Sequence, residues 1–189
     1  MRIFITTWFI AAASIMPLTC AAQDASVPAP DPPLYVDGSL CTKPDQIVFS
    51  CPLAKSGKIV SICAAGSAAP HRFYYAFGKP HAVEMTYPSN PEDLNNGFTH
   101  SFLMYAGGTG GYAYSFINKE IKYIVYSISG AGFDIGGVAV QKDGELRTMS
   151  DMKCVKGMIK EESDQALLDE TLKWKVDDDV HGHGLPHVN

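Results

Sequence analysis

The chain has 189 residues, of which 46% are hydrophobic and 19% charged, and its formal net charge is −5. That is apolar material for one domain with its own core. Twenty acidic against fifteen basic residues, with no basic stripe to follow phosphates, argue against nucleic acid as a partner and favour a basic protein.

Residues 1–22 read as a secretory signal peptide. Arg2 gives the positive start, residues 3–16 the apolar run, and Cys20-Ala21-Ala22 a small-residue cleavage site. The apolar run is too short to span a bilayer. No stable membrane anchor is expected, since Pro17 stands where a lipidation signal near Cys20 would carry a Leu-like residue. Export places the mature chain in the periplasm. Residues 23–40 read as a Pro-rich linker, with four prolines between Gln23 and Tyr35 that rule out helix or central strand and leave an extended, disordered tether.

Cleavage leaves Cys41, Cys51, Cys63 and Cys154. Four thiols in an exported chain read as two disulfides with three open connectivities. The pairing preferred here joins Cys41 to Cys51 and Cys63 to Cys154, because Cys51 and Cys63 fall on neighbouring hairpin strands, where direct bridging is geometrically restrictive.

A disulfide-containing β domain with a C-terminal helix is expected over residues 41–176. Strand patterns occupy residues 46–51 and 59–63, joined by Lys55-Ser56-Gly57-Lys58, then 71–77 and 82–87, joined by Gly78-Lys79-Pro80. Residues 88–97 form a polar loop full of turn formers. Four further segments, FTHSFLMYA, YAYSFIN, KYIVYSIS and GGVAVQK, are rich in aromatic and β-branched residues and are separated by glycine-bearing or polar turns. Lys142-Asp143-Gly144-Glu145 turns the chain into residues 146–149. About nine short strands at this spacing predict a mainly β fold, an antiparallel meander closed as a sandwich or barrel. Helix periodicity appears only later: Ser163 or Asp164 caps a run whose Leu167, Leu168, Leu172 and Trp174 make an apolar stripe, acidic at its start and lysine-bearing at its end. Residues 177–189 read as a disordered Asp- and His-rich tail.

Catalytic patterns are missing. There is no G-x-S-x-G elbow, no H-E-x-x-H, and no phosphate-binding glycine loop with its lysine, so neither an enzyme nor a cofactor is expected. His181, His183 and His187 offer a weak metal alternative, because a glycine-rich tail gives imidazoles no fixed orientation. His71, His81 and His100 are scattered and have no carboxylate at neighbouring positions. Glu84 is expected to face solvent, since an unpaired buried carboxylate is costly.

The sharpest candidate is Ser129-Gly130-Ala131-Gly132-Phe133, at the end of an apolar strand. Ser129, Gly130, Gly132 and Phe133 are the expected partner-binding residues, the glycines allowing close backbone approach while a hydroxyl and a ring project. The alternative is an ordinary hairpin with Phe133 folded back on the core.

Together, VFSCPLAKSGKIVSICA, FYYAFG followed by VEMTYP, YIVYSISGAGF, GGVAVQKDG and the late Cys154 resemble a family of small exported Gram-negative proteins. Its fold is similar to that of periplasmic inhibitors of invertebrate-type lysozyme, some of which act as immunity proteins against peptidoglycan hydrolases. Those inhibitors carry a Ser-Gly-x-x-Tyr loop that plugs the lysozyme active site. The resemblance implies that Ser129 and Gly130 begin such a loop, with Phe133 in the tyrosine place, and that the partner is a lysozyme-like or other cell-wall hydrolase.

Overall fold

The structure, a computed structural model, describes residues 32–90 and 97–186. The signal peptide, the first half of the proposed linker (residues 23–31) and His187 lie outside the described residues. Strands β1 (Gln46–Pro52), β2 (Ile59–Ala65), β3 (Arg72–Lys79) and β4 (Ala82–Tyr87) run as one antiparallel meander. β5 (Thr99–Tyr105), β6 (Thr109–Asn118), β7 (Ile121–Gly130), β8 (Phe133–Lys142) and β9 (Thr148–Lys153) form a second. Then come β10 (Lys160–Glu161), α1 (Gln165–Thr171), β11 (Lys175–Val176) and α2 (Asp178–His183).

β10 extends the first sheet at β1, and β11 joins the second in parallel to β5, giving orders β10-β1-β2-β3-β4 and β11-β5-β6-β7-β8-β9. The fold is therefore an open two-sheet sandwich, and the barrel alternative is set aside. The nine expected strands are all present, with two two-residue strands and a second short helix added.

Period-two alternation explains the layers. On one face of the second sheet Tyr114, Phe116, Val125 and Val138 meet Phe49, Val60, Ile62 and Tyr75 of the first in the principal core. Phe116 is its central ring: it stacks on Tyr87 at 4.2 Å and Tyr123 at 5.1 Å, and touches Tyr75 at 4.9 Å and Phe98 at 5.3 Å between centroids. Offset and edge contacts of this kind add to the area that each ring buries.

The outer faces are covered by residues 36–42 and 177–186. On the first sheet, buried Ser50 donates to the Gly38 carbonyl at 3.0 Å, and Ser61 accepts from the Leu40 amide at 3.0 Å. Leu40 is only 2% exposed. The ordered domain therefore begins before Cys41, and the linker expected through residue 40 is corrected: residues 36–40 pack on the sheet because serines supply partners for their backbone.

The disulfides pair Cys41 with Cys63 and Cys51 with Cys154, which corrects the preferred connectivity. Cys51 and Cys63 are indeed not partners; Cys51 stands opposite Val60 and Cys63 opposite Ile47. The remaining choice depended on the path of residues 36–42 back over β2, which brings Cys41 to a Cα separation of 5.5 Å from Cys63. Leu53 bridges to Cys154, so the second disulfide ties the end of β1 to the end of β9.

On the second sheet the outer-face cluster of Leu103, Ala113, Ile124, Tyr126, Ile128 and Ala139 is capped by Val180 of α2. The disordered tail expected over residues 177–189 is thus corrected for residues 177–186. Asp177, 6% exposed, accepts from Lys122 Nζ at 2.6 Å and from Ser115 Oγ, and also takes the Val180 amide at 3.3 Å. Asp179 adds a longer contact to Lys122 at 3.3 Å. Composition alone made this segment look solvated; a buried lysine, invisible in one dimension, holds it down. Burial by itself would raise the Asp177 pKa, but the hydrogen bonds from Lys122 and Ser115 prevail and lower it.

α1 starts where expected, with Asp164 Oδ1 accepting the Ala166 amide at 2.9 Å. It is only seven residues long, so the lysines expected at its end fall beyond it. Glu170 takes the His71 backbone amide at 2.8 Å and lies 2.9 Å from His71 Nδ1, fastening α1 to the start of β3. Glu84 pairs with Lys58 at 2.7 Å on the surface, as a solvent-facing carboxylate can.

Phe116→Ala is expected to cost about 3–5 kcal/mol, the usual range for deleting a buried ring, read as a lowered denaturant midpoint with an unchanged slope. Asp177→Asn removes the close, buried partner of Lys122 and leaves it only the longer contact to Asp179, so the cost should approach the ~3–5 kcal/mol of breaking a buried pair; amide exchange at Val180 and His181 should accelerate. Because the folded Asp177 pKa is lowered, its stabilisation is present above the ordinary carboxylate range and disappears as pH falls through the lowered value. Native exchange protection of α2 should therefore persist at neutral pH and fail only in acid.

Candidate functional site: the uncharged hairpin rim

Two hairpins of the second sheet finish at the same end. β5 and β6 turn through Ala106, Gly107 and Gly108, with Tyr105 opposite Thr109. β7 and β8 turn through Ala131 and Gly132, with Gly130 opposite Phe133. Because Gly110 stands opposite Ser129, the two tips lie side by side. Gly132 takes a φ of +86°, a conformation that glycine adopts without a Cβ clash, so a two-residue connection suffices.

Charge divides the two ends of this sheet. Between His100 and Lys119, and again between Lys122 and Asp134, no charged residue occurs. The opposite end carries Lys119, Glu120, Lys142, Asp143 and Glu145, with Lys142 and Glu145 paired at 3.3 Å. Solvated turns are normally polar and charged. At this end the two glycine-rich tips carry no charge, the nearest carboxylate being exposed Asp134 beside Phe133, and the exposed Met104, Tyr105, Phe133 and Ile135 give it the apolar and aromatic content of an interface.

The four expected partner-binding residues do come together at this rim, but on two faces. Phe133 is 41% exposed, and its ring lies over Gly130: a Cβ there would meet the ring at 2.9 Å and Thr109 Oγ1 at 2.6 Å. That puts Phe133 on the outer, α2-covered face. Ser129 pairs with Asp134 and, by alternation, points to the inner face. Hydroxyl and ring therefore flank a thin hairpin instead of projecting side by side.

The rim rests on a stiff base. Tyr126 donates to Asp151 Oδ1 at 2.8 Å and accepts from Lys153 Nζ at 2.6 Å, tying β7 to β9 across Gly137. Burial, and then the Asp151 charge, push the Tyr126 phenol up, so it stays protonated and keeps donating. Beside Phe133, an apolar hollow of about 320 Å³ opens between β8 and residues 153–159, with Lys153 and Lys156 at its edge.

Among the described residues, the histidines of the tail form no comparable site. His181 and His183 both sit on α2, and two residues apart on a helix means side chains roughly 200° apart, so both cannot turn to one ion. His183 Nδ1 lies 3.1 Å from the Asp179 carbonyl. Among the described residues no three His, Cys, Asp or Glu side chains gather as a metal site. The His71–Glu170 contact was missed in the sequence because its members are 99 residues apart. No family model, curated protein or solved structure matches the chain.

Gly130→Ala should fold but displace the Phe133 ring, since the new methyl occupies the ring's place; the expected readout is a changed set of Phe133 ring resonances with the rest of the spectrum preserved.

Proposed function

We propose that this protein is a periplasmic binding protein that inhibits, or confers immunity to, a cell-wall hydrolase by inserting the residue 129–133 hairpin into the enzyme's cleft. The observation that carries this reading is the pair of uncharged, glycine-rich hairpin tips lying side by side at one end of the second sheet, with the Phe133 ring exposed beside them. A hairpin two strands thick enters a substrate groove edge-on, so that one wall meets Ser129 and the other meets Phe133.

Other features agree with it. Two disulfides suit an oxidising compartment, and among the described residues no helix is long and apolar enough to cross a membrane. The acidic chain suits a basic partner, which long-range attraction would steer toward it. The sequence carries none of the catalytic patterns sought, and the protein is read as a ligand of an enzyme and not as an enzyme.

The test is lysis of peptidoglycan suspensions by a panel of lysozymes of different types, and by hydrolases encoded beside this gene, with and without the purified mature protein. Saturable inhibition of at least one is expected. Ser129→Ala and Phe133→Ala should each weaken it without lowering thermal stability. Phe133→Tyr should strengthen it about tenfold or more, because a phenol donating to a catalytic carboxylate is worth about 1.5–3 kcal/mol. Absence of inhibition across the panel, with no hydrolase co-purifying, would overturn the reading.

A further inference from the structure

Next to the rim, the inner face of the second sheet is left partly open. His100 stands opposite Tyr114 and Phe102 opposite Tyr112, with ring centroids 5.8 Å apart for His100 and Phe102 and 4.8 Å for Tyr112 and Tyr114. These cross-strand pairs make an aromatic platform. α1 covers only its far corner, where the Tyr114 hydroxyl lies 3.3 Å from Thr171 Oγ1. Phe102 remains 53% exposed. Between the platform and the wall formed by β10 and α1 runs a cleft of about 300 Å³.

The charge of this cleft has one sign. Glu161, on β10, faces Tyr112; burial, followed by the Glu161 charge, raises the Tyr112 phenol above its ordinary range. Glu161 forms no ion pair among the described residues. Its neighbour Glu162 is already engaged, one oxygen taking the Ser163 and Asp164 amides at 2.6 and 2.7 Å. No lysine or arginine lines the cleft. Its one imidazole, His100, is held below its usual pKa by burial and then by nearby His181, and so is neutral at neutral pH.

We propose that this cleft receives a basic side chain, arginine in preference to lysine, presented by the protein partner that docks on the rim. The stem and planar head would lie over Phe102 and Tyr112, with the charge reaching Glu161. A cation is favoured twice there, by the ring faces and by a carboxylate that has acceptor sites beyond the one a phenol can fill. Arginine stacks flat on rings and pairs in a fork with carboxylates, which lysine does not. A neutral or acidic occupant would bury Glu161 with no countercharge. The cleft is open along β5 and reaches the rim through exposed Met104, which fits a side chain hanging from a docked chain. The inference rests on the rim being the docking surface, but not on the partner being a hydrolase.

The experiment is an NMR titration of the full mature protein with N-acetyl-arginine methylamide, and with its citrulline counterpart, which keeps the shape and lacks the charge. Saturable shifts at His100, Phe102 and Tyr112 are expected for the arginine probe, with citrulline binding about tenfold weaker. Glu161→Gln should remove most of that difference while leaving citrulline unaffected; Phe102→Ala, at an exposed position that folding tolerates, should weaken both probes. Equal binding of the two probes, shifts confined to other surfaces, or no saturable shift would overturn the proposal. Inhibition of a hydrolase without these shifts overturns the cleft alone, whereas the shifts without any inhibition overturn the hydrolase reading alone.

Discussion

Everything in this molecule depends on burying the β6–β7 pair from both sides. One face presses Phe116 and Val125 against the first sheet, and the other presses Ala113, Ile124 and Tyr126 against the C-terminal segment. A sheet covered on one face needs alternating polar residues on the other; here both faces are apolar, so a cover for the outer one is obligatory. The cover is α2, held through the buried Lys122–Asp177 pair. Such a pair gains little over apolar packing, but losing Lys122 strands the buried Asp177 charge and losing Asp177 leaves Lys122 only its longer contact to Asp179, so the pair specifies where residues 177–186 must lie.

Two segments outside the main strands play matching parts. Residues 36–42 lie on the outside of the first sheet, fixed by Ser50, Ser61 and the Cys41–Cys63 bond, while residues 177–186 lie on the outside of the second. The Cys51–Cys154 bond joins the edges between them across 103 residues, a long loop whose closure removes much freedom from the unfolded chain. The paired tips at residues 106–108 and 131–132 extend from this cross-linked sandwich without a charged side chain of their own. If they dock as proposed, a preorganised tip would give up less entropy than a floppy one.

The rim and the aromatic cleft are chemically different neighbours. The first offers backbone, a hydroxyl and an exposed ring; the second offers ring faces and a carboxylate that has no ion-pair partner among the described residues. If a partner docks as proposed, a surface that joins uncharged tips to the Glu161 carboxylate would discriminate through that carboxylate, since mismatched charge there is penalised more than a mismatched methyl group.

Much of the architecture was legible in one dimension. Period-two alternation and short glycine or polar turns located all nine principal strands, Asp164 announced its helix, and Ser129 to Phe133 were correctly read as a strand-end turn. These are local properties, set by backbone sterics and by which side chains can share a pleated face. What the residues could not declare for themselves were relations across space: which cysteine meets which, that Lys122 would claim Asp177 and turn an apparently solvated tail into a cover, that His71 would find Glu170, and that Ser129 and Phe133 would face opposite ways. Each depends on how two distant stretches cross, and crossing is decided by packing energy summed over the whole core, for which no single stretch carries the instruction.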